Sequence, residues 1–249
     1  MFWNKDKNEK RLSKAQELME CDEYEKASEV LSEVIDSQEA SGQTKAQGLL
    51  MRAHCRKWLA THCGDEIDPD FDPNDLGPEE AAPELSEEEK AGIRKAVEDL
   101  NAVMEIEDVP QEMLADALNE RLKEYAQLGE YEKAIQDSDK ILSMKNSSAG
   151  MTEAEIKHKQ AEFYCCLEDF DKACEKLKEM INSDETPLPN LVKAIIHSAE
   201  LNEDLNRIEA AKADYQRLID MADNVTGLAD ISRNAALRIE ELKNRQDAE

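Results

Sequence analysis

One seven-residue phrase recurs along the chain and constrains the fold more than any other feature. It reads DEYEKAS ending at Ser28, GEYEKAI ending at Ile135, EDFDKAC ending at Cys174 and NRIEAAK ending at Lys212. Its small residue falls at Ala27, Ala134, Ala173 and Ala211, and the related stretch IRKAVEDL adds Ala96. From Ala96 onward the separations are 38, 39 and 38 residues. A period of this size marks an array of identical supersecondary units, each burying its apolar face only against its neighbours.

The unit itself can be read from residues 111 to 145. Leu114, Leu118, Leu122, Tyr125 and Leu128 recur three or four residues apart, so they line one face of a helix, and Gly129 follows as a helix-ending residue. A second helix then carries Ala134, Ile135, Ser138, Ile141 and Leu142 on its inner stripe, with Ala134 small enough to let the two helices approach closely. The same double stripe returns in Ile156 to Ile181, closed by Pro187 and Pro189, and again in Leu191 to Ile219. Leu228, Ile231, Ala235, Ile239 and Leu242 form one more stripe, backed by Arg238, Glu240, Glu241 and Lys243, as a terminal capping helix requires.

Ala27 and Ala96 are 69 residues apart, one period of 38 plus 31. The acidic, proline-rich segment 64–88 accounts for the excess as a loop extruded from within the second repeat. The expected architecture is all-α: a right-handed α-solenoid of about five helical hairpins plus a C-terminal capping helix, forming a single domain over 1–249.

Composition narrows the function. With 58 acidic and 31 basic residues the net charge is −27, which opposes phosphate backbones and anionic membrane surfaces, so neither nucleic acid nor membrane is an expected partner. No stretch reaches the roughly 18 apolar residues of a membrane span, and the first residues lack the apolar core of a leader peptide, which gives a cytoplasmic expectation. Six cysteines, two of them adjacent at Cys165 and Cys166, resemble no disulfide framework and are expected to be free thiols.

The phrase G-[ED]-[YF]-x-x-A opening the second helix, with an aromatic near the end of the first, resembles the tetratricopeptide repeat family. Leu122, Tyr125, Gly129, Tyr131 and Ala134 carry the resemblance in the third unit, and Ala161, Tyr164, Phe170 and Ala173 in the fourth. The resemblance implies a groove, lined by the first helices, that holds a peptide or helix of another protein. Gln16, His54, Lys123, His158, Glu162 and Glu200 are the expected lining residues, and their mixed polarity suits a basic or amphipathic partner. The family's carboxylate clamp would place its side chains at Leu12, Gln16, Asp116 and Glu120, where acidic groups would repel such a ligand.

Metal and catalytic readings are weaker than these. His54, Cys55, His62 and Cys63 spell a zinc set, but residues eight apart on a helix are separated by about 12 Å, too far to share one ion. Asp68, Asp70, Asp72, Asn74 and Glu79 occupy alternating ligand places of a calcium loop, with Pro73 standing where the turn glycine is needed; a solvated acidic loop competes with that reading, as does recognition of a basic partner. Cys165 and Cys166 have no histidine at an informative spacing. No cofactor and no catalytic set is expected. The chain reads as a non-catalytic scaffold, adaptor or chaperone-like protein, the alternative being a homo-oligomeric structural or regulatory component assembling through its own helices.

Overall fold

A computed structural model describes residues 2–62, 84–144, 150–223 and 225–246, and these are entirely helices and connecting turns. The repeat spacing predicts one continuous solenoid; the helices group into two compact units, residues 1–150 and 151–249. The first holds α1 (Phe2–Glu20), α2 (Tyr24–Ile35), α3 (Gly42–Thr61), α4 (Glu87–Met104), α5 (Gln111–Gln127) and α6 (Tyr131–Ser143). The second holds α7 (Glu153–Cys166), α8 (Phe170–Ile181), α9 (Leu188–Asp204), α10 (Ile208–Ala222) and α11 (Ala229–Gln246). Within each unit successive helices pack on one another, so every repeat is an antiparallel hairpin.

The repeated phrase marks the hairpin turn. At four of these turns the residue two before the aromatic or Ile adopts positive φ: Asp22, Gly129, Glu168 and Asn206. Each turn then closes by the same pair of backbone bonds, as in Glu130 N–H to Tyr125 O at 2.8 Å with Gly129 N–H to Ala126 O at 3.1 Å, and Asp169 N–H to Tyr164 O at 2.9 Å with Glu168 N–H to Cys165 O at 3.0 Å. This is the Schellman closure, which satisfies the last carbonyls of the first helix and aims the chain back along it. The glycine that sequence reasoning singles out is thus one of four residues doing the same conformational task. Four residues after Gly129 and Glu168, Lys133 and Lys172 pair with Glu130 and Asp169 and lie over the rings of Tyr125 and Tyr164.

The small residue of the phrase is buried in every repeat, with Ala27, Ala134, Ala173 and Ala211 wholly inaccessible. In three repeats an aspartate three residues beyond it, at Asp99, Asp137 and Asp214, forms a polar clamp to the preceding helix. Asp137 on α6 accepts from Nε and Nη2 of Arg121 on α5, both at 2.7 Å, while Arg121 Nη1 donates to Asn101 Oδ1 at 2.7 Å. Asp99 on α4 accepts from Nε and Nη2 of Arg52 on α3 at 3.0 and 2.6 Å. Asp214 on α10 accepts from Ser198 and Asn202 on α9 at 2.7 and 3.1 Å.

The second repeat is closed despite its insertion. Gly92 on α4 lies so near α3 that an added Cβ would sit 2.4 Å from the Cβ of Ala60. The expected loop 64–88 ends earlier than its composition suggests: Glu87 and Glu88 belong to the first turn of α4, because Ser86 caps that helix and Glu89 returns a bond to the Ser86 backbone N–H at 2.6 Å. Residues 63–83, and with them the calcium candidates Asp68, Asp70, Asp72, Asn74 and Glu79, lie outside the described residues.

Candidate functional site

Each hairpin leaves part of its first helix exposed. In the first unit these helices are α1, α3 and α5, adjacent because α3 touches both of the others. In the second they are α7 and α9, which also touch. All six expected lining residues lie on first helices, at exposed or half-exposed positions: Gln16 on α1, His54 on α3, Lys123 on α5, His158 and Glu162 on α7, Glu200 on α9. Leu12 is different. It is buried between α1 and α2 with Ala15, Tyr24 and Ala27, so it belongs to the core and not to a clamp.

On the first unit, α5 carries Glu112, Asp116, Glu120 and Glu124 at successive four-residue steps. Glu120 pairs with Lys123 at 2.7 Å. Glu124 is 2% exposed, its Oε1 paired with Lys57 of α3 at 2.9 Å and its Oε2 buried without a hydrogen-bond donor. Burial raises the Asp116 carboxyl above its ordinary value, and the negative charges of Glu112 and Glu120 raise it further. Burial likewise raises Glu124, against the pull of Lys57. Where α3 packs on α2, Tyr24, Trp58 and His62 stack in a column, with ring centroids 4.0 and 4.8 Å apart, and His54 lies tilted against Tyr24 at 6.2 Å.

On the second unit, His158 and Glu162 are brought together, Nδ1 to Oε1 at 3.3 Å, and that contact holds the Glu162 carboxyl below its ordinary value. The His158 ring meets His197 of α9 edge to face, with centroids 5.2 Å apart. Burial, and then the neighbouring His158, hold His197 below the ordinary histidine value. His197 Nε2 in turn lies 3.8 Å from Cys165 Sγ. Sequence spacing missed this histidine because α7 and α9 belong to successive hairpins, and only their packing joins them. The contact does not make a nucleophile: burial pushes the Cys165 thiol up to about 11, so it stays protonated near neutrality.

Glu200 lines the rim of a cavity of about 290 Å³ with Ile196, Tyr215, Ile231, Asn234 and Arg238. Arg238, expected on the solvent side of the last helix, instead reaches Glu203 of α9 at 2.8 Å, where Tyr215 also donates at 2.6 Å. Among the described residues no group of His, Cys, Asp or Glu is arranged to hold a metal ion, and no helix is long and apolar enough to cross a membrane. In the zinc-like set, Cys55 is buried in the core and His62 stacks on Trp58. The five described cysteines are free.

The tetratricopeptide repeat model matches residues 115–148 and 192–225, which are the α5–α6 and α9–α10 hairpins. No curated protein matches the chain in sequence. Among solved structures, a tetratricopeptide repeat protein from Parabacteroides merdae superposes with a TM-score of 0.58 at 13% identity, covering 97% of this chain and 76% of that one. The nearly identical TPR-like repeats of Podosopora anserina named for kinesin light chain superpose with a TM-score of 0.52 at 11% identity, covering 97% and 96%. At such identities the likeness is one of fold. The matched hairpins and the shared fold show tetratricopeptide repeats at residues 115–148 and 192–225 and a helical-repeat fold of the tetratricopeptide kind.

Proposed function

We propose that this protein is a non-catalytic scaffold or adaptor that holds a segment of another protein against the first-helix faces of its repeats. The observation that carries the reading is that Gln16, His54, Lys123, His158, Glu162 and Glu200, polar or titratable, all lie at exposed or half-exposed positions on first helices. Repeats of this family generally mediate protein–protein contacts. A net charge of −27 selects a basic or amphipathic partner over nucleic acid or an anionic lipid surface. A cytoplasmic location follows from the same reading. The test is affinity capture with the intact chain, reconstitution of the captured partner from pure components, and hydrogen exchange of the complex. Protection on α1, α3 and α5 or on α7 and α9 supports the reading; protection confined to the second helices refutes it.

A homo-oligomer built through the terminal helix is the second reading, favoured by Leu237 of α11, a large apolar side chain left 54% exposed. Light scattering across a concentration series decides it, since a concentration-independent monomer excludes self-assembly.

A further inference from the structure

We infer that the cleft between α9 and α11 takes an apolar side chain of a partner protein, with a lysine or arginine beside it in the partner pairing with Glu200. The inference rests on the first-helix reading above and names the chemistry that one part of that surface selects.

The cleft lies wholly within the second unit and has about 290 Å³ of space. That is the small end of the roughly 300 to 1,000 Å³ of small-molecule pockets, and room for one large side chain. Ile196 of α9 and Ile231 and Ala235 of α11 wall it, with Tyr215 and Leu218 of α10 buried along it. Its polar walls are already committed. Arg238 donates to Glu203 through Nε and Nη2 and to Glu241 through Nη1, and the Tyr215 hydroxyl donates to Glu203. Only Glu200 and Asn234 are left, both exposed and without a hydrogen bond or ion pair among the described residues. Asn234 carries no charge, so the uncompensated charge of the cleft is that of Glu200.

The preceding repeat shows what such a carboxylate is built to meet. Glu162 and Glu200 stand 38 residues apart, the same period that separates Ala173 from Ala211. Glu162 Oε1 has His158 Nδ1 at 3.3 Å, and the His158 ring meets His197 edge to face where α7 packs on α9. The residue 38 beyond His158 is Ile196. An apolar side chain thus stands where the imidazole serves the carboxylate one repeat earlier, and a cleft opens beside it. Glu200 keeps the charge without its complement. A lysine or arginine at the mouth supplies a charge-assisted bond in that place. The same cation pushed into the cleft would instead meet Arg238, and like charges brought together are costly. The charge of the occupant therefore stays beside Glu200, while the apolar group next to it enters among Ile196, Leu218 and Ile231.

The probe is a blocked glycine–serine hexapeptide carrying one lysine–leucine pair, titrated into the intact chain and followed by NMR of its isoleucine and leucine methyl groups. The expected result is saturable shifts at Ile196, Leu218 and Ile231. Serine for the peptide leucine is expected to weaken binding about tenfold or more, and glutamate for its lysine about two- to fivefold. So acidic a chain draws any cation, so the deciding variant is Glu200→Lys, which is expected to reverse the preference between the lysine–leucine and glutamate–leucine peptides. Glu240→Lys makes the same charge change at an exposed position of α11 outside the cleft, and is expected to keep the preference for lysine. Ile231→Phe fills the cleft and is expected to abolish the shifts at Ile196 and Leu218.

No saturable shifts, an unchanged preference in Glu200→Lys, or equal changes in Glu200→Lys and Glu240→Lys overturn the proposal. Shifts of the cleft methyls that depend on protein concentration without peptide assign the cleft to a second copy of the chain and overturn it as well. Hydrogen exchange with a reconstituted partner separates this failure from that of the broader reading. Protection of first helices that persists unchanged in Ile231→Phe removes the cleft and leaves the first-helix reading standing, whereas protection confined to the second helices removes both.

Discussion

Arg52 and Asp99 stand 47 residues apart and form the same two-pronged ion pair that Arg121 and Asp137 form across 16. The excess of 31 residues equals the insertion counted from the spacing of Ala27 and Ala96. One hairpin geometry is therefore kept in both repeats, and the extra chain leaves it intact. Ser198 and Asp214 repeat the relationship at a separation of 16, with a hydroxyl in place of the guanidinium.

Removing Arg121 leaves the buried Asp137 only the longer contact to Lys140 at 3.5 Å. Arg121→Met is expected to lower unfolding stability by about 3 to 5 kcal/mol. Arg121→Met/Asp137→Leu is expected to recover most of that loss, since apolar groups of similar volume fill the space without desolvating charge. Urea unfolding of both variants checks this, and a double variant no more stable than the single one contradicts it.

The four hairpin turns differ in residue and share one backbone conformation, so their side chains can be exchanged by rule. Glu168 holds φ at +58° with a side chain that disfavours it, and Glu168→Gly is expected to stabilise the second unit by about 0.5 to 1 kcal/mol. Gly129→Ala, at φ +72° with open space around it, is expected to cost about 1 kcal/mol through backbone strain alone. Thermal melts showing the same sign for both substitutions would contradict the shared conformation.

Gly92 predicts a change of sign. Glycine to alanine inside a helix ordinarily stabilises by about 0.5 to 1 kcal/mol. Here the new Cβ would meet the Cβ of Ala60 at 2.4 Å, so Gly92→Ala is expected to destabilise by about 1 to 3 kcal/mol through overpacking of α3 against α4. Ala60→Gly/Gly92→Ala should restore part of the loss in the same denaturant assay.

Ala134 and Ala173 are wholly buried on the second helices of their hairpins. Leucine at either position is expected to cost about 1 to 3 kcal/mol, read as a lowered melting temperature. An unchanged melt would move the contact elsewhere in the repeat.

His197 sets a pH dependence on the second unit. Its folded-state value lies below the ordinary 6.5, so the unfolded chain binds the proton more readily. The stability this contributes is complete above about pH 6.5 and is lost as the pH falls through that value toward the folded-state one. Glu162, held low by His158, acts in the same direction at lower pH, losing its contribution as the carboxyl protonates. His197→Gln is expected to flatten the stability profile just below pH 6.5, and a slope identical to that of the native chain would contradict the assignment.

The sequence by itself determined the hairpin, its period and its inner face. Those depend on local spacing: apolar residues at helical intervals, a turn phrase, and an alanine where two helices must touch. Even the inserted length was legible, because counting residues between Ala27 and Ala96 requires no geometry. What only the tertiary structure decided are relationships between helices of different hairpins or across the insertion. Leu12 falls into the core and Gln16 outside it because α2 covers one side of α1. Cys165 meets His197 because α7 packs on α9. Glu124 is buried because α3 brings Lys57 and its own helix face against α5. Periodicity along a chain fixes which face of a helix is apolar, but burial and charge balance at a given side chain are set by the neighbour packed across from it, and no linear spacing encodes that neighbour.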